Sequence, residues 1–379
     1  MTLSNKLKKK ICIVSTSRAE LGIIRNLVIR LQKVKKFNTD LILTDPHLIY
    51  NKNKKNKNEV DEYKIKNFQF LKISSLTKNP LEISDRSSDL LNKISRVFSK
   101  KKYNLLIILG DRYETLIISY CAAIYRIPIF HLSGGDETLG SYDNLFRHAI
   151  SKFANFHFVT NYLSKNKLLK MDIDKKKIFN YGSLATENIK FHKFISKKEL
   201  EKDLKISLKK KNFIVTFHPE TILGNNLTKI KILLDSLANF ENYLFIFTGS
   251  NNDEDGEIIN NTIQNFTKRK KNIIFIKSLG QKNYFNLLKH VDGVIGNSSS
   301  AICEAPSFKI GIINIGTRQK GRLKASNIID VGFSKKEIIL AVKKIITNKF
   351  ILSKCLSKNP YEITGTHSRL TKKITKFLN

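Results

Sequence analysis

Cysteine is scarce in this chain and set without pattern. The four residues Cys12, Cys121, Cys303 and Cys355 show no CxxC spacing, so neither a disulfide framework nor a zinc site is indicated. Long apolar runs are missing as well. The best candidate, 116–132, is broken by Arg126 and Pro128 and falls short of the ~20 apolar residues a membrane helix needs. At the start, a basic head leads into the short apolar run Ile11-Cys12-Ile13-Val14, far below a secretory core. A cytoplasmic protein without a membrane partner is expected. Acidic residues are also few, 32 against 68 basic ones, for a net charge of +36. Such an excess suggests nucleic acid, because basic surfaces collect polyanions through counterion release. Only 12 of the basic residues are arginines, however, and the other 56 are lysines spread over nearly every segment. Arginine is the side chain suited to planar recognition of phosphates and bases, and Arg18, Arg112, Arg147, Arg318 and Arg322 fall inside the motifs below. The charge therefore points to a compact anionic ligand, with no nucleic-acid partner expected.

What the chain does contain is two series of strand–turn–helix units. Its 379 residues, 41% of them apolar, suffice for two domains. Segment 10–16 reads as a buried strand, followed by Ser15-Thr16-Ser17-Arg18 and a helix over 19–34, the first βα unit of a parallel sheet. Strands over 40–44, 105–109, 127–130, 156–159 and 178–180 and helices over 81–98 and 115–125 extend the series. The basic low-complexity stretch 51–60 reads as a flexible loop. Gly110-Asp111-Arg112 follows one strand, where Asp111 is either a catalytic carboxylate or a helix cap. His131, Ser133, Gly134, Gly135 and Asp136 follow the next, with Tyr142, Asp143, Arg147 and His148 beyond them. Asp143 and Arg147, four apart, could pair on one helix face.

A second series restarts with a strand over 213–217 and the turn His218-Pro219-Glu220-Thr221, and continues with strands over 244–247, 273–276, 293–295 and 310–315. The expectation is an α/β protein of two Rossmann-like, doubly wound domains, 1–186 and 187–366, with the ligand in a cleft between them. A last helix within 367–379 is expected to pack back on the first domain. The stretch 293–322 carries the densest ligand signal: a short strand, Gly296-Asn297, Ser298, Ser299 and Ser300, then a helix-like segment with Glu304. Such a turn can aim free backbone N–H groups at an anion. Glu304, read as one turn into the helix, could accept the two hydroxyls of a ribose. A nucleoside diphosphate would satisfy both; the plainer reading is a βα turn with serine caps.

Six motifs in register, STSRAELG, LGDRYE, HLSGGDETLGSYDNLFRHAI, YGSLATENI, FHPET and GNSSSAICEAPSFK with NIGTRQKGR, resemble the hydrolysing UDP-N-acetylglucosamine 2-epimerases of sialic-acid and related biosynthesis. The resemblance covers roughly 10–331. It implies the glycosyltransferase-B fold, a homodimer, and release of UDP with inversion at C2 to give free N-acetylmannosamine or a diacetamido analogue. By similarity, Arg18, His218, Ser298, Ser299, Ser300, Arg318 and Arg322 would surround the diphosphate and Glu304 would hold the ribose. Asp111, Asp136 and Asp143, with Arg147 and His218, would form the catalytic set.

The chemistry accounts for such residues. The C2 hydrogen is not beside a carbonyl, so its removal needs departure of the nucleotide from C1, and cations would stabilise the developing diphosphate charge. Carboxylates of raised pKa would then move the C2 proton, and water added to the glycal would complete the reaction. No step calls for a metal or a redox cofactor. Three departures bear on this. Ile23 stands where the epimerases that return intact UDP-sugar carry lysine, which favours the hydrolysing branch. Asp136 replaces the usual glutamate. Ser133 and Thr317 replace histidine and aspartate, so the sugar's substituents are expected to differ. The competing readings are a non-hydrolysing 2-epimerase, a glycosyltransferase of the same fold, and a non-enzymatic binder of nucleic acid or sugar nucleotides.

Overall fold

The computed structural model describes residues 8–44, 60, 63–73, 79–139, 143–220, 224–250, 255–356 and 358–379. The basic loop at 51–59, Tyr142 and Thr221 lie outside the described residues. The chain divides into two units: the chain up to Asp136, Asp143–Asn188 and Ile363–Asn379 form the first, and Glu137–Tyr142 with Ile189–Glu362 the second.

The first unit is built on seven strands, β1 (Lys9–Ser15), β2 (Phe37–Thr44), β3 (Phe68–Leu71), β4 (Leu105–Leu109), β5 (Ile129–Leu132), β6 (Phe156–Val159) and β7 (Ile178–Asn180). They pair in the order β3-β2-β1-β4-β5-β6-β7, every pair parallel. Side chains alternate across a strand, and β1 shows the consequence: Ile11 and Ile13 enter the core on one face, Cys12 and Val14 that on the other. Helices cover both faces, as an all-parallel sheet requires. Helix Thr366–Leu378 places Leu370, Ile374 and Leu378 in the same core as helix Arg18–Gln32, a four-residue spacing that keeps them on one stripe.

The second unit repeats the plan with β8 (Lys211–Thr216), β9 (Tyr243–Thr248), β10 (Ile273–Ile276), β11 (Gly293–Gly296), β12 (Gly311–Ile315) and β13 (Ile328–Val331). Their order is β10-β9-β8-β11-β12-β13, all parallel. Phe213, Val215 and Phe217 face one core and Ile214 the other. The edge strands β3 and β13 were not expected from the sequence. Both are four residues long and only partly buried, so neither carries the continuous apolar run that marks a central strand.

Candidate active site

In each sheet the chain starts in the middle and winds out both ways, so the connections diverge between β1 and β4 and between β8 and β11. Ligands of doubly wound sheets bind at the carboxyl ends of the strands at such a point. The sequence motifs gather there.

In the first unit, β1 runs into the turn Ser15–Arg18. Ser17 caps the following helix by accepting the Glu20 N–H at 3.3 Å. Glu20 answers by accepting the N–H of Thr16 at 2.6 Å and its hydroxyl at 2.9 Å, a reciprocal tie that fixes the turn carrying Arg18. Burial pushes the Glu20 carboxyl up to about 7, against the opposing pull of the Arg112 guanidinium.

Asp111 does not cap the helix after β4. That helix, Tyr113–Ile124, has Arg112 at its cap position without a side-chain cap bond, and the Asp111 carboxylate instead takes the buried guanidinium of Arg147. The same guanidinium donates to the carbonyl of Asp136 at 2.8 Å, so Arg147 bridges Asp111 and Asp136 rather than serving only its own helix. Asp136 itself is buried, and its carboxylate accepts the hydroxyls of Thr160, at 2.9 Å, and of Ser164. The loop reaches this position through Gly135, whose φ is +75° and where a Cβ would stand 2.3 Å from the Ser164 carbonyl oxygen, so only glycine fits. Asp143 opens helix Asp143–Phe153 and is half-buried. His131 is fully buried, within 2.8 Å of the Gly110 carbonyl and 3.2 Å of the Ser151 hydroxyl; burial pushes it down to about 4, so it is a neutral core residue.

In the second unit, three loops meet at the carboxyl ends of β8, β11 and β12. Asn297, fully buried, accepts the N–H of His218 at 2.7 Å and donates to its carbonyl at 2.8 Å. Gln319 donates to the Asn297 carbonyl at 2.8 Å. Glu220 accepts the N–H groups of Thr317 at 2.6 Å and Arg318 at 3.0 Å, and the Lys229 ammonium at 2.7 Å. Gly296, at φ +133°, lies so close to Thr216 that a Cβ would stand 1.9 Å from its carbonyl oxygen. Burial, aided by the Arg318 guanidinium, pushes His218 down to about 3, so this imidazole is neutral at physiological pH.

Ser298 caps helix Ser299–Cys303, and the Ser300 hydroxyl lies within 3.1 Å of Ser298 and 2.9 Å of the Tyr284 hydroxyl. Ser299 is exposed. Glu304 is not one turn into this helix but its C-terminal cap, and a 3-10 turn over Ala305–Phe308 follows. Pro306 cannot donate a helical hydrogen bond, which stops the helix at five residues, so its dipole is small. Glu304 is 8% exposed, and no hydrogen bond reaches its carboxylate among the described residues. Burial alone pushes it up to about 7. Arg322 contacts the Cys303 sulfur at 3.5 Å and donates to the Thr138 hydroxyl at 3.3 Å, and Arg318 is buried.

Sequence reasoning gave Glu20 and Gln319 no role, and Asn297 and Glu220 were named only as parts of turns. All four lie inside the motifs, but their roles depend on partners up to 98 residues away. The signal that could have found Glu20 is local: a serine three residues before a glutamate is the sequence signature of a capping box, although here the carboxylate reaches one residue further, to Thr16.

Residues 29–375 match the model of the UDP-N-acetylglucosamine 2-epimerase family. The chain is 41% identical over 327 residues to the hydrolysing GDP/UDP-N,N'-diacetylbacillosamine 2-epimerase of Campylobacter jejuni, covering 85% of this chain and 84% of that one. It is 35% identical over 359 residues to polysialic acid biosynthesis protein P7 of Escherichia coli, with 93% and 90% covered. Among solved structures, a UDP-GlcNAc 2-epimerase of Methanocaldococcus jannaschii in complex with UDP-GlcNAc and UDP gives a TM-score of 0.79 at 18% identity over 97% of this chain and 99% of that one. The two parallel sheets are of the glycosyltransferase-B type.

Proposed function

The chain belongs to the UDP-N-acetylglucosamine 2-epimerase family as a hydrolysing nucleotide-sugar 2-epimerase, and on that premise we propose that its substrate is a UDP-2,4-diacetamido-2,4,6-trideoxyhexose. The products are UDP and the free C2 epimer, a precursor for nonulosonic acids. The similarity to the Campylobacter jejuni enzyme supports this sugar over UDP-N-acetylglucosamine, which is the second substrate to test. Glu304 carries the nucleotide assignment. A buried carboxylate without a protein donor is costly, and two ribose hydroxyls would supply the missing hydrogen bonds.

Departure of UDP breaks the C1–O bond while a base takes the C2 proton, leaving a glycal. Arg318, Arg322 and the N–H groups around Ser298–Ser300 stabilise the charge on the leaving diphosphate. His218 takes part as a neutral hydrogen-bond donor. Asp111, oriented by Arg147, is assigned as the base, and Asp143 as the group that exchanges a proton on the other face. Asp136 is given a positioning role because its carboxylate is occupied by Thr160 and Ser164. Water adds at C1 and a proton at C2, so one water is consumed per UDP released.

The four free cysteines agree with a reducing, cytoplasmic setting. No helix among the described residues is long and apolar enough to cross a membrane. A homodimer is part of the proposal, supported by Tyr120, Ile124 and Leu145, large apolar side chains exposed on two helices that pack together.

Proton NMR in D2O with each UDP-sugar tests the reading. UDP and a free sugar deuterated at C2 should appear at equal rates. Intact epimerised UDP-sugar would assign the chain to the non-hydrolysing reaction, and UDP release that survives Asp111→Asn and Asp143→Asn would favour glycosyl transfer.

A further inference from the structure

Besides the carboxylates, the first unit holds a small cavity at the carboxyl ends of β4, β5 and β6. It leaves about 10 Å³ for the centre of a water-sized group, near the lower limit for admitting one such group. A sugar ring cannot enter; one methyl can. Its walls include Ile23, Leu109, Leu132 and Phe158, with Ser133 and Tyr181 beside them. Leu109 precedes the assigned base Asp111 by two residues and Ser133 precedes the positioning residue Asp136 by three, so the cavity lies at the roots of the loops that carry them. Ile23 comes from the helix that begins at Arg18.

The polar groups of the lining are divided. The Thr366 hydroxyl is engaged, donating to the Tyr181 carbonyl at 2.6 Å. The hydroxyls of Ser133 and Tyr181 make no hydrogen bond among the described residues. Each can donate or accept. An apolar space for one methyl, with two residues in its lining that carry uncommitted hydroxyls, matches the chemistry of an acetamido group: the methyl would fill the space and the amide carbonyl and N–H would meet the hydroxyls. A water could occupy the space when the site is empty, and an acetamido methyl would displace it.

We propose that this cavity is a specificity subsite for an acetamido substituent of the sugar. The inference rests on the epimerase reading above and adds where the sugar is sorted. Ser133 keeps the space open. It sits at φ +62°, and its small side chain does not fill the room that a larger residue would take.

The sugar has two acetamido groups in the 2,4-diacetamido substrate and one in UDP-N-acetylglucosamine, so the two substrates separate the sources. The variants are Ile23→Phe, which fills the cavity from a partly buried helix position, and Tyr181→Phe, which removes only a hydroxyl. For each, kcat/KM with both UDP-sugars is measured alongside Kd for free UDP and the melting temperature. One methylene more or less in an apolar site changes selectivity by about 10–200-fold. A loss of at least about tenfold in Ile23→Phe, with UDP affinity and melting temperature kept, is the expected result, and Tyr181→Phe should show a smaller loss in the same direction. Loss confined to the diacetamido substrate assigns the 4-acetamido group; equal loss with both assigns the 2-acetamido group. Unchanged kcat/KM with both substrates overturns the subsite, as does a parallel loss of UDP affinity. Wild-type protein that turns over neither sugar would instead overturn the functional reading.

Discussion

The Glu304 carboxyl, lifted by burial from its ordinary 4.5 to about 7, links nucleotide binding to pH. Ribose hydroxyls donate well only to the ionised form, so binding expels a proton from whatever fraction is protonated. Affinity for UDP, read by calorimetry, is expected to rise between pH 6 and 8, by up to about tenfold per unit below pH 7. In Glu304→Gln the slope should become shallower, leaving only the part due to ionisation of the UDP terminal phosphate, with affinity about tenfold or more below wild type at pH 8, since bonds to a charged acceptor are lost. Folding of the free protein responds in the opposite sense. Between 4.5 and 7 the native carboxyl holds a proton that the unfolded one has lost. The stability this contributes is complete below 4.5 and is lost as pH rises through 7. Glu20 acts in the same direction. The melting temperature of wild type relative to Glu304→Gln should therefore fall from pH 5 to 7; a gap that stays constant would remove the assignment of a raised pKa.

Asp111 and Asp136 share Arg147 but differ in what their carboxylates do. Asp111→Asn keeps a partner for the guanidinium while removing the base, so kcat should drop by about 10²–10⁴ with UDP affinity intact. Asp136→Asn keeps an acceptor for the hydroxyls of Thr160 and Ser164 and should retain most activity. Asp136→Ala strands both hydroxyls and should cost about 1–3 kcal/mol of stability in chemical denaturation. A kcat loss in Asp136→Asn equal to that in Asp111→Asn would return Asp136 to the role of base. The sequence brought these carboxylates to attention but could not rank them, because the ranking depends on Thr160 and Ser164, outside the motif that holds Asp136.

Among the elements, the central strands were legible because parallel strands buried on both faces read as continuous apolar runs, such as LLIIL in β4. Of the four short edge strands, β7 and β10 were expected, but β3 and β13 were not. The YGSLATENI motif had no role in the sequence, and the structure supplies one. Glu187 accepts the N–H groups of Gly365 at 2.7 Å and His367 at 2.5 Å, capping helix Thr366–Leu378 from a distant segment. Asn188 donates to the carbonyls of Gly22 and Ile23 and sits 2.9 Å from the His367 ring nitrogen. Two segments nearly 180 residues apart in sequence are thereby tied. Loss of a cap costs about 0.5–2 kcal/mol, so Glu187→Ala should lower stability by that amount and raise hydrogen exchange first in the last helix. Protection that falls evenly across the first unit would mean that Glu187 acts on the core as a whole rather than as a cap.

At the scale of the whole molecule, the lysine excess was legible as number but not as purpose, whereas the exposed apolar residues emerge only in the fold. Helices Tyr113–Ile124 and Asp143–Phe153 pack together, joined by the edge-on rings of Tyr120 and Phe153. Outward from them stand Ile124, 65% exposed, and Leu145, 71% exposed. A chain with a charge of +36 repels its copies, so self-association needs an apolar patch of this kind to overcome the repulsion, and added salt should help it by screening. Light scattering is expected to show a dimer that tightens as salt is raised from 50 to about 300 mM, the range over which the screening length drops below ~10 Å. Leu145→Lys combined with Ile124→Lys should give monomers whose melting point no longer depends on protein concentration, because association no longer adds to native-state stability. A wild-type monomer at all salt concentrations, or a dimer indifferent to both substitutions, would place the contact elsewhere or nowhere.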